Sequence, residues 1–137
     1  MNPEQMNIDF RKHIKNGVPF FTDRRLVSII LNNLISNAIR YSDNSASAPF
    51  VEVIIDATAK QTRIEVIDNG IGISKENQQK IFSMFYRVSD DDNGTGMGLY
   101  LVKKAVEKLS GTISLESEYK VGSKFTLTIP NMISGKN

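Results

Sequence analysis

The stretch "LNNLISNAIRYS", Leu31 to Ser42, sets Asn32, Asn33 and Asn37 in a helix that is apolar over most of its circumference. Side-chain amides are costly to bury without hydrogen-bond partners, so something must satisfy these. Working outward, Leu26, Ile30, Leu34, Ile35 and Ile39 recur at helical spacing with no Pro or Gly among them. That pattern predicts a helix from Arg24 to Tyr41, capped by Thr22 or Asp23. On it Asn33 and Asn37 stand one turn apart and Arg40 and Tyr41 extend the same face, while Leu31, Ile35 and Ile39 turn toward a core. An amide oxygen suits Mg²⁺, a guanidinium meets phosphate oxygens, and an aromatic ring lies against a base or sugar. The same amides would equally bond to backbone in a packed interior, and the helix alone leaves both readings open.

Before this helix, "IDFRKHIKNGVPFF" alternates and carries a Gly turn, predicting a short strand or hairpin arm that ends near Phe21. After it, "SDNSASAP" has the composition of a loop. "FVEVIIDAT" and "TRIEVID", separated by "AKQ", predict an antiparallel pair. Ser74 followed by Glu76 and Asn77 predicts the start of a short helix through Phe82. "YRVSDDDNGTGMG" is a candidate lid, and "LYLVKKAVEKL" predicts a helix stopped at Ser110-Gly111. "TISLESE" and "SKFTLTIP" predict a second hairpin around Val121-Gly122, leaving "NMISGKN" as a frayed tail. Strand pairs and helices segregated in this way predict an α+β fold, a two-layer α/β sandwich in which a mixed, mostly antiparallel sheet of about five strands carries about three helices.

The bulk numbers set bounds on function. At 137 residues, 40% hydrophobic and 23% charged, residues 1–137 are expected to form one domain. The net charge of +2, with no long basic run, does not favour nucleic acid as a partner. The absence of cysteine fits a reducing compartment, with the cytoplasm as the expected location. No stretch approaches the roughly 20 apolar residues that span a bilayer, and "MNPEQMN" lacks the features of a signal peptide, so no membrane contact is expected.

Two glycine stretches carry the remaining chemistry. "VIDNGIGIS" places Asp68, Gly70, Gly72 and Ile73 directly after a strand. An ionised Asp there can accept a hydrogen bond from the exocyclic amine of a purine, with glycines permitting close backbone approach; Asp-Asn-Gly alone is more often a plain turn. "NGTGMGLYLV" leads Gly94, Thr95, Gly96, Met97, Gly98 and Leu99 into a helix whose N-terminal N–H groups and dipole favour phosphate. It lacks both the dinucleotide-binding spacing and the Lys-Ser/Thr of a P-loop, and alone it would also serve as a flexible connection. Between the two, Phe82 and Phe85 are expected to anchor the lid, and Arg87 either reaches phosphate or is solvated.

In this order, the amide helix, Asp68 to Gly72, Phe82 to Phe85, Gly94 to Leu99 and "VGSKFTLTIP" resemble the catalytic, ATP-binding domain of bacterial sensor histidine kinases. That superfamily also holds DNA gyrase, a heat-shock chaperone and the mismatch-repair ATPases. The resemblance runs from about Phe20 to Pro130. It implies Asn37 as the Mg²⁺ ligand, Asn33 as its companion, Arg40 as the basic residue at the phosphates and Tyr41 as the nucleotide-facing aromatic. Asp68 is implied as the adenine-amine acceptor, completed by Gly70 and Gly72. Gly94, Gly96 and Gly98 would form the second glycine box closing over the phosphates, and Gly122 with Ser123 the turn before the last strand.

The branch follows from position 33. The related ATPases place a Glu there as general base, and an amide cannot take a proton from water. A histidine kinase needs no such base, because its attacking group is an imidazole from another domain. The implied activity is therefore binding of Mg²⁺–ATP and donation of its γ-phosphate to a histidine-containing dimerisation domain, with a response regulator downstream. The alternative is a nucleotide-binding regulatory, pseudokinase module that docks partners without transfer. The chain shows neither the dimerisation helices nor a suitable phosphoacceptor, since His13 lacks the family's surrounding motif and is expected at the surface. It is therefore expected to be an excised, monomeric catalytic module. "GMGL" stands where the family often has "GLGL", a swap expected to be harmless. Asp90, Asp91 and Asp92 are expected to point away from phosphate.

Overall fold

The computed structural model describes residues 8–42, 48–83 and 98–132. The predicted long helix is present as α1 (Arg24–Arg40), one residue shorter than its periodicity suggests. Asp23, not Thr22, is its cap: the Asp23 carboxylate accepts the N–H groups of Arg25 at 2.9 Å and Leu26 at 3.3 Å.

The first strand, β1 (Asp9–Lys15), corrects the sequence reading twice. It stops well before Phe21, because Asn16 and Gly17 turn the chain with φ of 71° and 61°. It is also no hairpin arm. It pairs in parallel with β2 (Phe50–Ala57), from Asp9↔Phe50 to Lys15↔Asp56, and α1 supplies the crossover that a parallel pair requires. Every residue of β1 is exposed, and His13 Nε2 donates to the Glu52 carboxylate on β2 at 2.9 Å.

β3 (Gln61–Asp68) follows a three-residue turn and pairs antiparallel with β2, as "AKQ" predicts. β4 (Thr112–Glu118) and β5 (Gly122–Pro130) form the second hairpin, and β5 also pairs with β3. The sheet order is β1-β2-β3-β5-β4, a mixed and mostly antiparallel five-stranded sheet. Alternate residues of its central strands, among them Val51, Val53, Ile64, Val66, Phe125, Leu127 and Ile129, are buried. They face Ile30, Leu34 and Ala38 of α1 and Val102, Ala105 and Val106 of α3 (Gly98–Lys108), which makes the two-layer sandwich. The opposite face is polar, as in the bonds of Lys124 Nζ to Glu65 at 2.9 Å and to Glu116 at 3.6 Å.

The short helix falls short of Phe82. As α2 it covers only Lys75–Gln78, buries none of its residues and gives way to turns through Ser83, because "KENQ" offers no apolar face for packing to extend. Phe82 itself packs edge-on against Phe125, with centroids 6.3 Å apart. The start of the supposed frayed tail is tied down as well. Asn131 accepts the Phe21 N–H at 2.9 Å and donates to the carbonyls of Pro19 at 2.8 Å and Thr58 at 3.0 Å, while Met132 N–H reaches Phe21 O. One amide thus satisfies three backbone groups. Among the described residues no helix is long and apolar enough to cross a membrane.

Candidate functional site

Asp68 ends β3 on the core side of the sheet, in register with Val51 on one flank and Ser123 on the other, both buried. Its Oδ1 accepts the Gly70 N–H at 2.9 Å, and the Ser123 N–H bonds the carboxylate too. Burial pushes its pKa up from 3.8 to about 6, because desolvation outweighs those two N–H groups. At neutral pH this is a largely desolvated anion with capacity for a further donor.

The loop beyond Asp68 is stitched to the C-terminal end of α1. Ile71 N–H donates to Tyr41 O at 3.0 Å, and a Cβ on Gly70 would fall 2.4 Å from that same oxygen. Gly72, at φ +71°, would set a Cβ 2.1 Å from Glu118 O. In both cases the close approach that demands glycine is to protein backbone, which seats the loop between α1 and the β4–β5 turn. Asp68, Gly70 and Tyr41 are thereby brought together although far apart in sequence.

The polar face of α1 meets the start of α3. Asn33 Nδ2 donates to Ile29 O at 2.7 Å, so half of this amide is satisfied by its own helix. Its Oδ1 lies 3.0 Å from where a Cβ of Gly98 would stand. Asn37 is half-buried one turn on, and its carbonyl accepts the Tyr41 N–H that closes the helix at 3.1 Å. Arg40 is exposed, with its guanidinium 5.9 Å from the Tyr41 ring centroid. Asn33, Asn37, Arg40 and Tyr41 thus lie along one side of α1, with Gly98 against Asn33 and the loop after Asp68 against Tyr41.

Three predicted residues have structural duties. Ile73 and Leu99 pack on the core, and Ser123 is buried with its hydroxyl 2.8 Å from that of Ser117. Phe85, Arg87, Gly94, Thr95, Gly96 and Met97 lie outside the described residues, as do Asp90, Asp91 and Asp92.

Sequence reasoning missed the network beneath the loop. Ser117 Oγ accepts the Ile73 N–H at 2.8 Å and lies 2.8 Å from Gly122 O, and Gln78 Nε2 donates to Ile73 O at 2.7 Å and to Ser117 O at 3.0 Å. Asn69 holds the other side, accepting Phe50 N–H at 2.8 Å and donating to Ala48 O at 2.9 Å. The one available signal was Ser117 itself, a hydroxyl at a core-facing position of an alternating strand.

Residues 22–133 match the family described as histidine kinase-, DNA gyrase B- and HSP90-like ATPase. The sensor protein RprX of Bacteroides fragilis is 36% identical over 118 residues, covering 80% of this chain and 22% of its own. The sensor-like histidine kinase SenX3 of Mycolicibacterium smegmatis is 39% identical over 118 residues, covering 83% of this chain and 30% of its own. The chain thus spans less than a third of the length of these curated relatives. The nucleotide-free catalytic domain of histidine kinase ThkA superposes with a TM-score of 0.78 at 28% identity, over 94% of this chain and 84% of that one. The chain belongs to the histidine kinase-, gyrase B- and HSP90-like ATPase family. Within it, it is a catalytic domain of the sensor histidine kinase type.

Proposed function

We propose that this domain binds Mg²⁺–ATP and donates the γ-phosphoryl group to a histidine on a dimerisation domain of the same kinase, which then passes it to a response-regulator aspartate. The observation that carries the reading is Asp68, a half-buried carboxylate ionised at neutral pH, whose loop is bonded to the end of an amide-lined helix. Adenine offers such an acceptor an exocyclic amine, whereas guanine offers a carbonyl at the same ring position, which a carboxylate repels.

The donor set fits a magnesium nucleotide. Asn37 supplies a neutral amide oxygen, and among the described residues no His, Cys, Asp and Glu cluster could hold a metal by itself. Mg²⁺ is commonly held this way, by few protein ligands together with substrate phosphates and waters. When bound, it neutralises charge on the phosphate oxygens. Arg40 would meet those phosphates, and Tyr41 would lie against the base or sugar. The acceptor imidazole nitrogen attacks the γ-phosphorus, the bond to the bridging oxygen breaks and ADP leaves. Asn33 cannot activate water, which supports transfer over hydrolysis. We place the domain in the cytoplasm as a monomeric unit.

The test supplies a cognate dimerisation domain and ATP labelled at the γ-phosphate. Label on the acceptor histidine is the expected result. Nucleotide binding without any transfer would make the domain a regulatory module.

A further inference from the structure

Three side chains stand in one row across the sheet. Asp68 of β3 is in register with Ser123 of β5, and Ser123 with Ser117 of β4, so all three project from the core-side face. Ser117 Oγ makes three contacts of 2.8 Å, to the Ile73 N–H, to Gly122 O and to Ser123 Oγ. A hydroxyl has one proton to give. The Ile73 N–H only donates and the Gly122 carbonyl only accepts, so a single arrangement of protons makes all three contacts hydrogen bonds. Ser117 gives its proton to Gly122 O, and Ser123 gives its proton to Ser117. The Ser123 proton is thereby turned away from Asp68, whose carboxylate takes the Ser123 main-chain N–H instead. On the side of Asp68, the Ser123 hydroxyl offers lone pairs only.

We propose that Ser117 is a positioning residue for base selection: by holding the Ser123 proton it keeps the hydroxyl beside Asp68 an acceptor. The inference rests on the nucleotide reading above, in which Asp68 receives the adenine amine. Two acceptors, one charged and one neutral, then stand side by side, and both suit an amine and oppose a carbonyl at the same ring position. Ser117 acts through Ser123 and not on the nucleotide itself.

The experiment measures ATP and inosine triphosphate affinities by calorimetry for the parent, Ser117→Ala, Ser117→Cys, Ser117→Thr, Ser123→Ala and the Ser117→Ala/Ser123→Ala pair. Inosine carries a carbonyl where adenine carries its amine and lacks the second amine of guanine. The parent is expected to prefer ATP. Ser117→Ala is expected to narrow that preference about fivefold, the worth of one hydrogen bond, because the released Ser123 proton turns to Asp68 or to the inosine carbonyl. Ser117→Cys keeps the shape of the side chain with a weakly bonding thiol and should shift the ratio the same way, whereas Ser117→Thr keeps the hydroxyl and should hold the parent ratio. With Ser123 already alanine there is no proton to hold, and Ser117→Ala should leave the ratio unchanged. A purely structural Ser117 would weaken both nucleotides together. An unaltered ATP preference in Ser117→Ala and Ser117→Cys, or the same narrowing with and without Ser123, would overturn the positioning role and leave the nucleotide reading standing. A parent that binds neither nucleotide would overturn both.

Discussion

Ile71 N–H donates to the Tyr41 carbonyl across 3.0 Å, joining the glycine loop that follows β3 to the C-terminal end of α1. That bond holds the loop after Asp68 against the C-terminal end of α1, and it exists because residue 70 has no side chain to obstruct it. Gly70→Ala would drive a methyl to 2.4 Å from the same oxygen. We expect it to part loop from helix, destabilise the domain by about 2 kcal/mol and abolish nucleotide affinity. Urea unfolding alongside calorimetry checks both effects.

Asp68 makes the ligand-free domain pH-dependent in a definite direction. Its pKa is raised from 3.8 to about 6, so the folded state holds the proton more tightly than the unfolded chain. The stabilisation is therefore complete below the unfolded value and is lost as pH rises through about 6. Relative to Asp68→Asn, the parent should lose on the order of 3 kcal/mol between pH 4 and pH 7. Paired urea titrations across that window measure the difference, and a flat profile would contradict the desolvation of this carboxylate. At pH 7.5 the same substitution should erase the preference for ATP over GTP.

Ser117→Ala removes the hydroxyl that serves Ile73 and Ser123. The buried groups left without a partner should cost about 1–2 kcal/mol. ATP affinity should fall by a smaller factor than in Gly70→Ala, because the bond to Tyr41 survives.

Asn131 lies far along the chain from Asp68 and from the amide face of α1, yet its side chain bonds backbone groups of Phe21, Pro19 and Thr58 at once. A loss of about 2 kcal/mol in urea unfolding, with ATP affinity per folded molecule unchanged, is the expected outcome of Asn131→Ala.

What could be read from the sequence followed from periodicity. The uninterrupted helical spacing from Leu26 to Ile39 located α1, and the alternation of β2, β3, β4 and β5 located the sheet and its antiparallel pairs. Alternation is silent on partners, which is why β1 resembled a hairpin arm although it pairs in parallel with a strand beyond α1. Candidate site residues stood out in the sequence where a residue type has few uses, as with the amides of α1 and the Asp-Asn-Gly-Ile-Gly run. A residue's role was illegible where tertiary contact assigns it. Nothing local to Asn131 reveals its three backbone partners, and nothing local to Asn33 reveals Gly98.

The most direct test of the central claim is calorimetric titration of the chain with ATP and with GTP, each with and without Mg²⁺. The account predicts adenine-selective binding that Mg²⁺ strengthens, and an Asn37→Ala variant that retains the Mg²⁺-free affinity while losing the increment. Equal binding of ATP and GTP, or no binding at millimolar nucleotide, would contradict it.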